Sequence, residues 1–254
     1  MAIDKQLVKN HFSKGLRTYP KQASVQHNIA CKLAEMTSNL GFTYFNKVFE
    51  AGCGSGFLTQ QLITQLNIEQ LTVNDLTSTA KEYIDAIARQ WGKKIDFLCG
   101  DAEKITVPGH NDAVFSASTL QWFNNLPLFF NKINQCLNPK GLFAFSTFGP
   151  DNFREIRHTC QVGLHYPNQD TLKKMLAENF SILAQKEWRE TMEFNHPTDV
   201  LRHMKKTGVN GLQHEYFGKR QLSRFSNHYI KQFSTINNTV TLTYSPIIII
   251  TQKK

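Results

Sequence analysis

Lys47-Val-Phe-Glu50-Ala-Gly52-Cys53-Gly54-Ser-Gly56-Phe57-Leu58 decides the fold. Lys47 to Ala51 reads as a short buried strand that runs into glycines at alternate positions. Phe57 to Leu66 reads as a helix with Leu58, Leu62 and Leu66 on one face. Alternate glycines let the backbone turn tightly and let a ligand approach closer than a Cβ would allow. Open parallel sheets bind nucleotides at such a loop, beyond the carboxyl ends of the strands. The loop is not the dinucleotide fingerprint, because GxGxxG needs a glycine where Phe57 stands, and the lysine of a phosphate-binding P-loop is missing. Glu50, at its start, would repel phosphate and favour a cation.

Outward from the loop, strand and helix alternate. Leu71–Val73, Ile95–Leu98, Ala113–Ser116 and Leu142–Phe148 read as strands. Thr77 or Ser78 is placed to cap the helix through Ile84 and Ile87, proline opens a helix over 127–137, and Asn138-Pro-Lys-Gly reads as a turn. This alternation over 47–148 predicts a parallel sheet covered on both faces. Upstream, 3–40 reads as helical, with Ile29, Leu33, Met36 and Leu40 on one face and Gly41 as terminator. Downstream, 170–178, 197–206 and 219–233 read as helices, 182–194 as partly extended, and 239–250 as a strand. The expected organisation is one domain over 1–254. It has a helical cap (1–40), a cofactor-binding core (47–148) and a helical insertion (197–235) placed to lie over the sheet edge as a lid.

Two further acids follow successive strands. Asp75 lies about twenty residues beyond the loop and can accept both hydroxyls of a ribose. Asp101, in Gly100-Asp-Ala-Glu103, sits where a carboxylate can accept an exocyclic adenine amino group. Loop, ribose acid and adenine acid in this order fit a nucleoside without phosphate.

Composition narrows the class. The chain has 254 residues, 41% of them apolar, which supports a substantial core. No apolar run reaches the roughly 18 residues of a transmembrane helix, and the N-terminus lacks the apolar region of a secretory signal. Cys31, Cys53, Cys99, Cys136 and Cys160 form no CxxC pair, so neither a disulfide framework nor a zinc site is indicated, and a reducing cytoplasm is expected. No HExxH or other metal triad occurs among the nine histidines. The formal charge is +9. It is concentrated in 1–32, with six cations against Asp4, and in 199–231, with seven against Asp199 and Glu215. Such surfaces attract nucleic acid, anionic membrane or acidic protein, or serve only as a solvated face.

VFEAGCGSGFLT, NDL and CGDAEKI together resemble the motifs of class I S-adenosylmethionine-dependent methyltransferases. The resemblance implies a Rossmann-like α/β fold with a mostly parallel seven-stranded sheet and helices on both faces. It implies S-adenosylmethionine as cofactor, with S-adenosylhomocysteine as its product. Glu50, Gly52 and Gly54 would line the methionine side, Asp75 with Leu76 the ribose, and Asp101 with Ala102 the adenine, with Ser116 and Gln121 also on the cofactor.

Further segments resemble the malonyl-[acyl-carrier protein] O-methyltransferases that begin pimelate assembly for biotin. These are HFSKGLRTYPKQASVQ with Phe12, Tyr19, Ala23 and Gln26; SASTLQWFNNL with Gln121 and Trp122; STFGPDNFREI; and LRHMKKTGVNG with Arg202, Lys205 and Gly208. The chain departs from that pattern at Ala117 and Pro20. The resemblance implies a malonyl thioester on an acidic carrier protein, or malonyl-CoA, as methyl acceptor, with no nucleic acid or membrane partner and a monomeric enzyme. A malonyl carboxylate is ionised at neutral pH and is its own nucleophile, so no general base is needed. Arg202 is expected to hold that carboxylate, a guanidinium being able to do so with two parallel hydrogen bonds, and Tyr19 to close over the methyl group. Trp122, Phe12, Lys205 and Lys206 are expected on the substrate and carrier side. The rival readings are a methyltransferase of another small carboxylate such as an aconitate-like acid, a nucleic-acid methyltransferase, and a nonenzymatic binding module of the same fold.

Overall fold

The computed structural model describes residues 3–161, 163–208 and 218–254. The N-terminal stretch is three helices rather than one: α1 (Lys5–Gly15), α2 (Tyr19–Gln22) and α3 (Ser24–Asn39). Asp4 caps α1 through Gln6 N and Leu7 N, Pro20 sits in the first turn of α2, and Ala23 leaves helical geometry before α3 begins. The core then runs β1 (Tyr44–Ala51), α4 (Phe57–Gln65), β2 (Asn67–Asp75), α5 (Ala80–Trp91), β3 (Ile95–Cys99), β4 (Asn111–Ser116), α6 (Leu126–Cys136) and β5 (Leu137–Phe148). The expected turn at 138–141 falls within the span of β5, where Lys140 keeps a bend at φ 62°. Thr79, not Thr77 or Ser78, stands at the N-cap of α5, because Thr77 is held by Asp75 instead.

The remainder comprises α7 (Arg154–Cys160), α8 (Gln169–Leu176), β6 (Phe180–Glu187), β7 (Glu190–Phe194), α9 (Pro197–Lys206), α10 (Lys219–Phe233), β8 (Val240–Tyr244) and β9 (Pro246–Lys253). The expected single strand at 239–250 is therefore two, parted at Ser245. β8 pairs with β7 in a separate two-stranded sheet, and β9 enters the main one.

The main sheet has seven strands in the order β3-β2-β1-β4-β5-β9-β6. β1 to β5 pair in parallel, and β9 runs antiparallel between β5 and β6. The chain builds outward from β1 to β3 and returns to place β4 on the other side of β1. The ends of β1 and β4 thus flank the crevice where ligands bind in open α/β sheets.

Successive strand residues face opposite layers. Val48, Ala144, Ile248 and Ile250 pack with α3, α4 and α5, while Phe49, Phe143, Phe145, Ile247 and Ile249 pack with α6 and α8. This two-sided burial explains why IIII needs no polar alternation. A third apolar cluster joins Val8, Val25 and Ile29 of the cap to Val200 and Met204 of α9, Phe225 and Tyr229 of α10, and Trp122. Cap and insertion therefore pack together over the crevice end of the sheet.

Candidate functional site

The loop after β1 is pinned by one buried asparagine. Gly52 N and Cys53 N donate to Asn74 O at 2.9 and 2.8 Å, and Asn74 Nδ2 donates to Leu98 O and Gly100 O at 2.8 and 2.9 Å. The ends of β1, β2 and β3 are thereby held together. Gly52 adopts φ +77°, and a Cβ there would collide with the Thr119 side chain. Gly54, at φ +53°, faces open space within 4 Å, so its bare backbone borders a cavity.

That cavity encloses about 900 Å3, partly open to solvent. Glu50, Gly52, Gly54, Asp75, Leu76, Asp101 and Ala102 line it together, as do Tyr19, Phe12 and Trp122. Asp75 is set by its neighbours: Oδ2 accepts from Gly54 N at 2.8 Å, and Oδ1 accepts from Thr77 N and Thr77 Oγ1 at 2.8 and 2.9 Å. Burial raises its carboxyl above the usual range, against these donors. Glu50 is buried, and Oε2 accepts from Thr59 Oγ1 at 2.7 Å while Oε1 has no partner. Desolvation, opposed by Thr59 and reinforced by the charge of Asp75, pushes its carboxyl up to about 8. An acid held this way next to an open cavity suits a cation, which restores the ionised form.

The cap closes one end. Lys5 Nζ lies 2.7 Å from Glu103 Oε2 and 3.4 Å from Asp101 Oδ1, and 4.7 Å from the centre of the Phe123 ring. Burial alone would raise the Glu103 carboxyl, but Lys5 and the N–H groups of Asn124 and Asn125 outweigh it and hold it below its ordinary range. Tyr19 borders the other end. Burial, with the charge of Asp75, pushes its phenol well above the usual tyrosine range, so it stays protonated and can donate but not act as a base.

Five of the expected site residues lie outside the lining of this cavity. Ser116 does not line the cavity; its Oγ donates to Ala51 O at 2.8 Å and ties β4 to β1. Gln121 reaches only an adjoining side chamber. Arg202 lies on the exposed face of α9, paired with Asp199 one turn away, and lines neither space. Lys205 and Lys206 likewise lie outside both linings. Polar residues that the sequence reading did not single out do line them: Ser118, Thr119, Asn152, Tyr166 and Thr207. Ser118 and Thr119 fall inside the SASTLQW segment, Asn152 inside STFGPDNFREI and Thr207 inside LRHMKKTGVNG; Tyr166 carried no local sign. Cys53 is buried with its thiol pushed up by desolvation and by Asp75 and Glu50, which removes it as a nucleophile. No group of three or more metal-ligating side chains occurs among the described residues.

Known proteins share this fold. Residues 49–145 match the family described as "Methyltransferase domain". The N-methyltransferase NodS from Bradyrhizobium japonicum WM9, solved in complex with S-adenosyl-L-homocysteine, superposes with a TM-score of 0.53 at 13% identity, covering 91% of this chain and 86% of NodS. The malonyl-[acyl-carrier protein] O-methyltransferase of Porphyromonas gingivalis is 37% identical, covering 96% of this chain and 94% of that protein. The Bacteroides thetaiotaomicron protein of the same name is 37% identical over 99% of each chain. Similarity of this degree along nearly the whole length, on a sheet of this topology, means that the chain belongs to the malonyl-[acyl-carrier protein] O-methyltransferase family.

Proposed function

We propose that this chain transfers the methyl group of S-adenosylmethionine to the free carboxylate of a malonyl thioester carried on an acyl-carrier protein, the first step of pimeloyl assembly for biotin. The observation that carries this reading is the full-length identity to relatives bearing that name. The cavity supports the cofactor: an unpartnered Glu50 oxygen, a bare Gly54 wall and an oriented Asp75 suit a cationic nucleoside. Glu50 would face the methionine end, Asp75 the ribose hydroxyls, and Asp101 with Ala102 the adenine.

When bound, S-adenosylmethionine supplies an electrophilic methyl: a carboxylate lone pair forms the O–CH3 bond as the S–CH3 bond breaks, and that electron pair stays on sulfur. No proton moves, so the chain's task is to place and desolvate the carboxylate. Tyr19 and Trp122 border both spaces and exclude water there. The five cysteines are all free, as a reducing cytoplasm would keep them. No described helix is long and apolar enough to cross a membrane. We place the enzyme in the cytoplasm, acting as a monomer.

The test is methyl transfer from labelled S-adenosylmethionine to malonyl-acyl-carrier protein, with acetyl-acyl-carrier protein, free malonate and RNA alongside. Base-labile label on the malonyl carrier alone is expected. Label on a free acid instead would favour the small-carboxylate class, and label on none, with the cofactor bound, would remove the substrate.

A further inference from the structure

Beside the cofactor cavity lies a narrower side chamber of about 330 Å3, counting the space open to solvent. The two spaces adjoin, because Phe12, Tyr19, Gln26, Ser118 and Trp122 line both. Gln121, Phe148, Asn152, Phe153, Tyr166 and Thr207 complete the chamber. Among the described residues its lining contains no lysine, arginine, histidine or carboxylate; every polar group is neutral.

Unsatisfied polarity concentrates here. Among the described residues, eight buried side-chain polar atoms lack a partner, and four belong to this lining: Trp122 Nε1, Ser118 Oγ, Gln26 Oε1 and Gln121 Oε1. Buried polar atoms are nearly always paired, so such a cluster calls for a ligand or ordered water. The backbone is strained at the same place. Ser118 and Phe153 each hold φ at 52°, a left-handed conformation that costs energy for residues with a Cβ and gathers at ligand sites. Ser118 N is engaged by Ser146 Oγ at 2.9 Å, while the hydroxyl is unengaged.

The donor inventory selects the ligand. An indole N–H only donates, a hydroxyl can donate, and an amide can turn either end to its partner. We propose that the side chamber receives the substrate's free carboxylate and holds it with neutral donors, Trp122 Nε1–H and Ser118 Oγ–H, with no lysine or arginine pairing with it. The proposal rests on the methyl-transfer reading and deepens it. A guanidinium clamp would draw charge from the attacking oxygen; neutral donors orient the carboxylate and leave a lone pair to attack. Charge balance comes from the adjoining cavity, whose ligand is a cation. Gln121 Oε1 remains an acceptor because Nε2 donates to Ser118 O at 2.6 Å, so it repels an anion from its own corner. The ester product is uncharged and accepts these hydrogen bonds more weakly, which favours its release.

Wild-type transfer to malonyl-acyl-carrier protein is measured first; its absence overturns the parent reading and the proposal with it. Given transfer, Trp122→Phe and Ser118→Ala are each expected to raise KM for the malonyl carrier at least tenfold, with calorimetric affinity for S-adenosylhomocysteine changed less than twofold. Ser118→Ala deletes one hydroxyl and carries the test if Trp122→Phe does not fold. Independently of turnover, malonyl-CoA should shift the Trp122 indole N–H resonance downfield in enzyme saturated with S-adenosylhomocysteine, and acetyl-CoA should not. Three results overturn the proposal: an unshifted indole with malonyl-CoA bound, equal losses of cofactor and substrate affinity, or an acyl-substrate defect that appears in Arg202→Ala and not in these two variants.

Discussion

Glu50 carries a cost in the ligand-free fold. Its carboxyl is raised to about 8, chiefly by desolvation, so the folded chain keeps a proton that the unfolded chain has already released. A raised carboxyl pKa makes stability fall as pH rises from the ordinary carboxylate range to about 8. A cation in the cavity favours the ionised form, so cofactor binding should expel that proton below about pH 8. Two outcomes are expected for Glu50→Gln. Urea unfolding of the ligand-free variant at pH 9 should show higher stability than wild type. Calorimetry should show weaker S-adenosylmethionine binding that no longer improves between pH 6 and 8. At the ribose position, Asp75→Ala should weaken S-adenosylmethionine binding more than tenfold, and unchanged affinity would remove the ribose assignment. These acids stood out because each sits at the carboxyl end of a strand, where side chains reach the sheet's ligand crevice. Asn74 was not: a buried asparagine between a valine and an aspartate has no local signature, though it staples three strand ends. For Arg202, a matched motif fixes a position on a helix but not the face it presents, and here Asp199 is its partner.

The amphipathic helices beyond the cap whose limits were read lie within two residues of the observed ones, since burial itself writes the pattern, whereas β2 and β5 were read only over their buried middles, at 71–73 of 67–75 and 142–148 of 137–148. The breaks among α1, α2 and α3 were missed because Pro20 is tolerated in a first helical turn, so it marks a start as readily as an interruption. The division of β8 from β9 was equally hidden: TVTLTYSPIIII has strand chemistry throughout, and only tertiary pairing sends its halves to different sheets. Glu155 helps hold α7 to β8. Glu155 is fully buried and accepts from Thr243 N at 3.0 Å, Thr243 Oγ1 at 2.6 Å and Thr241 Oγ1 at 3.3 Å. Glu155→Ala removes these bonds and leaves a buried N–H unpaired. It should cost roughly 2–4 kcal/mol in urea unfolding. Glu155→Gln, which keeps one acceptor oxygen in the same volume, should cost less.

Across the whole molecule, the two basic segments of the sequence converge. Thr18 Oγ1 donates to Lys206 O at 3.0 Å, and a Cβ on Gly15 would lie 3.5 Å from Gly208. Exposed Lys14, Arg17 and Lys21 of the cap thus stand near Lys205 at the end of α9. These exposed cations of the cap and α9 suit an acidic carrier and should act mainly on association, where salt screens them. Transfer to malonyl-acyl-carrier protein should therefore fall with added salt more steeply than transfer to the malonyl thioester of a small neutral thiol. Parallel curves would remove the docking face. Composition displayed both charge clusters but not their union, because nothing local encodes a contact between segments so far apart in the chain. The apolar cluster that joins cap to insertion has a consequence for exchange kinetics. Val8, Met204 and Phe225 share one packed interior, so neither roof element can lift without disturbing the other. Amide protons of α1 and α9 should then exchange with deuterium through one shared opening event, and S-adenosylhomocysteine should slow both by the same factor, although α9 does not line its cavity.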